Sequence, residues 1–402
     1  MSVTASQPPL KVFIVCGEHS GDALGAGLMR ALRERAPGTE FAGVGGEQMT
    51  AAGLASLFPL DDIVVMGPIA ILKAYPHLRR RAYDCIEAAV AADPDVLIII
   101  DAPEFTHAVA KRVRRKRPEL PVINYVSPSV WAWRPGRAKV MRRYVDHVLA
   151  LLPFEPEAHD RLGGPDCTYV GHPLVEKRAW IAERDTDAFR VRLGIAPHVQ
   201  ILTVLPGSRG SEVARLMAPF GETVARLKAL RGPERPFAVV VPAVLHREDV
   251  IREGLKTWSV PAHVVTSEGD KWSAFRASAA ALAASGTVTL ELAVAGTPMV
   301  VGYKVDALAS RLRFLVKVPS IVLANLVLGR NAIPEFIQED CEPDTLVAAL
   351  APLMDRASEA RCAQIKALED IEVRLSTGDE TPSVRAAGVV LSLLAQKRSG
   401  RG

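Results

Sequence analysis

Residues 200–212 read Gln200-Ile-Leu-Thr-Val-Leu-Pro-Gly-Ser-Arg-Gly-Ser-Glu212. A short apolar run stops abruptly at a Gly/Ser turn, and the helix-forming stretch Val213–Leu230 follows. Strand, glycine turn and helix in that order open a βαβ unit on a parallel sheet. The same order occurs near the N terminus, where Leu10–Cys16 meets Gly17-Glu-His-Ser-Gly-Asp22 and then the helical stretch Ala23–Glu34. Two such openings predict two similar α/β halves, that is, two facing Rossmann-like domains.

The runs between them agree. Phe41–Val44, Asp95–Ile100, Pro121–Tyr125 and His147–Leu152 read as further strands of the first half, and Phe237–Pro242, Ala262–Thr266, Ala280–Ala283 and Met299–Tyr303 as those of the second. The uninterrupted apolar run DVLIII before Asp101 is the pattern of a strand buried on both faces. The domains are expected at 8–175 and 196–375, joined through the polar stretch Gly171–Ile195. An amphipathic C-terminal helix, 383–397, could pack on either.

Length and composition fit this. A chain of 402 residues suggests two or three domains, and 49% apolar with 23% charged residues is ordinary for a folded protein. Five scattered cysteines without a CxxC pair argue against a zinc site and a disulfide framework, and suit a reducing cytoplasm. The N terminus lacks the basic and apolar regions of a signal peptide, and no uncharged apolar run reaches the ~18 residues of a membrane span. Charge is uneven: Lys111–Arg143 holds eleven Lys/Arg against Glu119 alone. Such a segment is either a solvated face or a surface for an anionic partner.

Several motifs fall at expected strand ends, where ligands bind in open parallel sheets. In the first, Gly17, Ser20 and Gly21 let backbone approach a ligand, while Glu18 and Asp22 suit sugar hydroxyls better than phosphate. Gly43-Val-Gly45-Gly46 lacks the third glycine of GxGxxG, which weakens a nicotinamide reading. Ser208, Arg209 and Gly210 read as an anion site, where amides at a helix start receive a diphosphate and the guanidinium clamps it, or else as a capping loop with an exposed Arg, Ser208 or Ser211 as cap and Glu212 near the third helical position. Ser285, Gly286 and Thr287 turn into another helix, where Glu291 needs either an Arg partner or a ligand hydroxyl such as a ribose diol. Asp101 closes DVLIII and is a candidate general base, or else a turn cap before Pro103. Trp131 and Trp133, followed by Arg134, suit stacking on a sugar ring, with a core anchor as the alternative for one of them. Ile63–Leu72, containing Met66, Ile69 and Leu72, precedes Lys73 and Arg79–Arg81. Apolar followed by basic is the pattern of an interfacial segment, and Arg311–Lys317 has the same character, with ordinary core and solvated flanks as the alternative for both. Gly67 and Pro68 make the first of these a poor helix.

In order along the chain, GE-x-SGD, VVMG, IDAP-E-F, YVSPSVWAWR, GHPLV, LPGSRGSEV, SGT…LE…PMVVGY and NLVLGR resemble the lipid-A-disaccharide synthase family, from about residue 11 to residue 350. The resemblance implies an α/β GT-B fold with an interdomain active-site cleft and an inverting glycosyltransferase of lipid A biosynthesis. It would join UDP-2,3-diacylglucosamine to 2,3-diacylglucosamine 1-phosphate (lipid X), giving a β-1,6 disaccharide and UDP. By resemblance Asp101 is the base, Arg209 contacts the diphosphate, Glu18 and Asn325 matter for activity, and Glu291 holds the ribose. His19 and Ala324 depart from the family pattern, which usually has a small residue and a proline there.

The resemblance also implies no metal or other cofactor, and no Asp-x-Asp pair lies near the loop. Acylated substrates imply a peripheral enzyme on the cytoplasmic face of an anionic inner membrane. Nucleic acid is not an expected partner, and a homodimer is left open. Two alternatives are another GT-B enzyme acting on a UDP-sugar and a nucleic-acid binder using the basic segment, the second lacking any nucleic-acid motif.

Overall fold

A computed structural model describes residues 8–65, 68–305 and 318–399. They form two units, Met1–Pro173 with Thr377–Gly402, and Leu174–Ser376. Met66 and Arg311–Lys317 lie outside the described residues, and so does the side chain of Ile69.

The first unit runs β1 (Lys11–Cys16), α1 (His19–Arg35), β2 (Glu40–Val44), α2 (Glu47–Ala51), α3 (Pro68–Ala91), β3 (Val96–Ile100), α4 (Pro103–Lys116), β4 (Val122–Tyr125), α5 (Gly136–Met141), β5 (His147–Ala150), α6 (Glu155–Leu162) and β6 (Asp166–Tyr169). Its strands lie in the order β2-β1-β3-β4-β5-β6, all parallel. Every residue of β3, VLIII, is buried. Each such side chain contributes roughly 1.5–3 kcal/mol by leaving water.

The second unit runs α7 (Arg178–Ala182), α8 (Thr186–Arg192), β7 (Gln200–Leu205), α9 (Gly210–Arg231), β8 (Phe237–Pro242), α10 (Glu248–Leu255), β9 (Ala262–Val265), α11 (Glu268–Ala277), β10 (Ala280–Ala283), α12 (Val288–Val294), β11 (Met299–Tyr303), α13 (Leu323–Leu328), β12 (Glu335–Ile337), α14 (Pro343–Leu353) and α15 (Glu359–Leu375). Its parallel sheet has the order β12-β11-β10-β7-β8-β9. The chain then returns as α16 (Pro382–Ser399), which packs on α1. Ala386, Ala387, Val390 and Leu394 of α16 are buried in the first unit's core.

Three local expectations change. The stretch read as a joint, Gly171–Ile195, folds largely into the second unit. Asp185 caps α8 by accepting the Asp187 and Ala188 amides at 3.0 and 2.9 Å, and Phe189 and Ile195 are buried against Ile201 and Val240. Helix α1 begins at His19, not Ala23, so Ser20, Gly21 and Asp22 are helical. Helix α3 begins at Pro68, where a sequence reading finds only interruption. Proline is favoured in the first turn because its missing N–H would have no partner there.

Candidate active site

Both sheets reverse strand order at one point, the place where open α/β sheets bind ligands. In the first sheet this is between β1 and β3, whose C-terminal ends carry Gly17 and Asp101. In the second it is between β7 and β10, which lead into the Ser208–Gly210 loop and Ser285–Thr287.

At the first switch point the backbone is strained. Six non-glycine residues among those described have positive φ, and four lie in the turn after β3 or the loop leaving β4: Asp101 (55°), Ala102 (39°), Val126 (77°) and Arg134 (52°). Such conformations cost on the order of 1–3 kcal/mol each and persist only where surroundings enforce them. A Cβ on Gly17 would lie 2.3 Å from Ala102 Cβ, so only glycine fits against the turn. Ser20 Oγ donates to Asp101 Oδ2 at 3.1 Å, and the Ala102 amide donates to Oδ1 at 2.8 Å. Asp101 is thereby oriented while half-exposed. Glu18 is exposed at the N-cap of α1. Burial pushes the Cys16 thiol up to about 12, and the negative charges of Asp22, Asp101 and Glu18 add to the rise.

Asp22 is corrected by the structure. It is buried, and its carboxylate accepts the Gly46, Gln48 and Met49 amides at 2.8, 2.8 and 3.1 Å, capping α2 and not facing a ligand. His19, one of the family departures, bonds Asp61 at 2.9 Å on the surface.

The loop after β4 is held from α6. Trp131 packs edge-on to Phe154 at 5.1 Å and donates Nε1–H to Glu155 Oε1 at 3.2 Å, so it is an anchor. Trp133 is exposed, with the Arg134 guanidinium 5.3 Å from its ring centre. Glu155, which sequence reasoning missed, is buried. Its Oε2 accepts the Leu151 and Leu152 amides at 3.1 and 3.0 Å, and burial pushes its carboxyl up to about 7. His159 Nε2 and Ser127 Oγ lie 2.8 Å apart beneath the same loop.

In the second unit Glu212 organises the loop. Buried at the third residue of α9, its Oε2 accepts the Ser208 and Arg209 amides, both at 3.2 Å, and its Oε1 accepts the Tyr303 hydroxyl at 3.1 Å. Gly207 has φ +110°, and a Cβ there would fall 2.6 Å from Glu212 Oε2. The expectation that these amides receive a phosphate is therefore corrected: Glu212 already occupies the two at Ser208 and Arg209. The Arg209 guanidinium stays 75% exposed while touching Glu212 Oε1 at 3.2 Å. Arg247, unnoticed in the sequence, adds a second cation. A Cβ on Gly210 would sit 3.4 Å from its Cζ, and its buried Nε has no hydrogen-bond partner.

Ser285 Oγ donates to the Ile321 carbonyl at 2.7 Å, fixing the start of α12 beside Gly286 and exposed Thr287. Glu291 pairs with Lys271 at 2.9 Å, a lysine where an arginine was the expected partner. Asn325 is buried with all its hydrogen-bonding positions used. Oδ1 accepts the Ala332 and Ile333 amides at 3.0 and 2.9 Å, and Nδ2 donates to the Ile333 carbonyl at 2.9 Å and Ser320 Oγ at 3.3 Å. It pins a loop and does not present itself to a ligand.

On α3, Leu72 is 77% and Tyr75 60% exposed, and Lys73, Arg79 and Arg80 are exposed too. Arg81 departs from the expected basic flank, because Asp62 holds it at 2.5 Å. Part of the basic segment is neutralised from outside it: Arg114 by Asp146, Lys116 by Glu87, Arg117 by Asp93 and Arg137 by Glu104. No described helix is long and apolar enough to cross a membrane. Among the described residues no group of three or more His, Cys, Asp or Glu is arranged to hold a metal ion.

Residues 12–381 match the lipid-A-disaccharide synthetase family. The chain belongs to the lipid-A-disaccharide synthase family. It is 50% identical over 386 residues to the lipid-A-disaccharide synthase of Rhodopseudomonas palustris strain HaA2, covering 96% of each chain. With that of Nitrobacter hamburgensis it shares 46% over 397 residues, 98% of each. Among solved structures, a UDP-N-acetylglucosamine 2-epimerase from Listeria monocytogenes, described as putative, superposes with a TM-score of 0.64 at 13% identity, covering 98% of each chain. Acinetobacter baumannii MurG superposes with a TM-score of 0.56 at 12% identity, covering 96% of this chain and 100% of its own. Those likenesses concern the fold, the GT-B type that the sequence motifs implied. Lipid-A-disaccharide synthases are glycosyltransferases, and Asp101 and Arg209 follow the strands at the switch points of this chain's two sheets.

Proposed function

We propose that this chain transfers the diacylglucosamine unit of UDP-2,3-diacylglucosamine to O6 of 2,3-diacylglucosamine 1-phosphate, with inversion. Asp101 takes the proton of the acceptor 6-hydroxyl as that oxygen attacks the anomeric carbon. The anomeric C–O bond to the diphosphate breaks, and UDP leaves with the electron pair. Base catalysis of this kind contributes roughly 10²–10⁴-fold. Arg209, with Arg247 beside the same helix start, offsets the charge that develops on the departing diphosphate. Gly17, Ser20 and Gly21 shape the acceptor side, and Glu18 assists there. Thr287, Gly286 and Glu291 face the nucleoside. Asn325 contributes by holding its loop. No metal or cofactor enters the reaction.

The observation that carries this reading is Asp101. It is a carboxylate in left-handed backbone, at a sheet's switch point, oriented by Ser20 and left half-exposed. The exposed apolar and basic side chains of α3 suit the acylated substrates and support peripheral attachment to the cytoplasmic face of an anionic membrane. Mass spectrometry of the products from the two acylated substrates tests the reaction. Asp101→Asn, nearly isosteric, is expected to keep UDP binding and lose turnover by about the same 10²–10⁴-fold. A near-wild-type rate in that variant removes Asp101 from the mechanism. Turnover of unacylated UDP-N-acetylglucosamine in place of the acylated donor overturns the substrate assignment.

A further inference from the structure

The second unit has two adjoining cavities at the end of its sheet opposite the Arg209 loop. One, about 790 Å³, opens beside the N-terminal ends of β7, β8 and β9, lined by Ile195, Val199, Ala225, Phe237, Val260 and Pro261 among others. That volume falls within the ~300–1,000 Å³ of small-molecule sites. The other, about 520 Å³, shares His198, Val199, Arg235 and Pro236 with the first. Its charged lining is Arg190, Arg231, Arg235 and Arg356 against Glu234 and Asp355.

These arginines oppose one another. Burial first, and then Arg235, lowers the proton affinity of Arg231; burial and then, after a favourable effect of Asp187, Arg356 do the same to Arg190. The two inner guanidinium groups hold the fold: Arg190 Nη1 donates to the Val199 carbonyl at 2.9 Å, and Arg231 Nε to the Arg235 carbonyl at 3.2 Å. Arg235 and Arg356 are exposed, and neither makes an ion pair among the described residues. Like charges gathered beside an apolar hollow repel until an anion joins them.

We propose that the two cavities form one binding site for a single-chain anionic amphiphile. Its alkyl chain occupies the apolar cavity, and its phosphate or carboxylate head sits between Arg235 and Arg356. Chain burial and charge-assisted hydrogen bonds both favour the complex. The site lies at the opposite strand ends from Arg209, so its ligand and UDP bind independently. An amphiphile free in solution and a lipid drawn from an anionic bilayer share this chemistry.

The test is calorimetric titration of the full chain with dodecyl phosphate below its micelle concentration, with inorganic phosphate as control. One site is expected for dodecyl phosphate and none for phosphate. Arg235→Glu with Arg356→Glu, both on the surface, is expected to weaken the alkyl phosphate about tenfold or more. Ala225→Trp fills the apolar cavity and gives the same loss without touching charge. UDP affinity is expected to stay unchanged in all variants. Failure of dodecyl phosphate to bind, unchanged affinity in the double charge reversal, or competition with UDP overturns the proposal. Sedimentation with phosphatidylglycerol vesicles assigns the source. Loss in the charge-reversed protein identifies a bilayer lipid, and retention alongside the calorimetric loss identifies a soluble amphiphile.

Discussion

Replacing Glu155 by Gln tests the electrostatics of the loop that carries Trp131 and Trp133. The carboxyl is buried, and burial outweighs the three hydrogen bonds it accepts from Leu152, Trp131 and Leu151, leaving it near 7 against an ordinary 4.5. At 1.36 kcal/mol per pH unit, that displacement amounts to roughly 3 kcal/mol. The sign follows from which state binds protons. Below 4.5 both folded and unfolded chains are protonated and the stabilising term is fully present. Between 4.5 and 7 the unfolded chain has ionised and the folded one has not, so stability falls as pH rises. Above 7 the loss is complete. Buried His107 and half-buried His172, both held near 4 by desolvation, act in the other direction, losing stability as pH falls from 6.5 towards 4. Both proteins carry these histidines, so they cancel in the difference. Urea unfolding of the two proteins from pH 4.5 to 8 is therefore expected to show Glu155→Gln gaining on the native chain by about 3 kcal/mol. Trp131→Phe removes one donor to the ionised form and should move the midpoint of the native curve upwards. A stability difference independent of pH refutes the reasoning.

Arg209→Ala removes an exposed guanidinium, so stability should change by less than about 0.5 kcal/mol. UDP affinity should fall on the order of tenfold or more, because a charged hydrogen bond contributes roughly 1.5–3 kcal/mol; unaltered affinity by calorimetry would reduce the loop to a helix cap. Leu72→Ser with Tyr75→Ser removes two exposed apolar side chains, each able to contribute roughly 1.5–3 kcal/mol on full burial. Sedimentation with anionic vesicles and turnover of lipid substrates should drop while UDP binding holds, and unchanged sedimentation would move the membrane contact elsewhere.

What the sequence makes legible, and what it hides, divides along one physical line. Runs such as VLIII and QILTVL announce buried parallel strands because burial on both faces demands unbroken apolar residues. The edge strands β6, DCTY, and β12, EFI, lack that demand: they are short and half-exposed, so neither stands out. The strand-end motifs are legible for the same reason, since an apolar run that stops at Asp101 or at Pro206 marks the sheet's C-terminal edge. Which polar groups there remain available to a ligand is a different matter. It depends on partners far along the chain or on the backbone itself. Asp22 looks like a sugar-binding carboxylate until the Gly46, Gln48 and Met49 amides saturate it. Asn325 looks like a contact until Ala332 and Ile333 claim it. Glu212 looks like an ordinary first-turn acid, yet it takes the amides expected to hold phosphate. Buried polar groups are costly unless paired, so the fold satisfies them first. Asp101 and Arg209 are the charged groups of their loops that stay partly exposed after that satisfaction. That residual exposure at the two switch points, more than residue type, separates the groups proposed here for chemistry from those that build the ground beneath them.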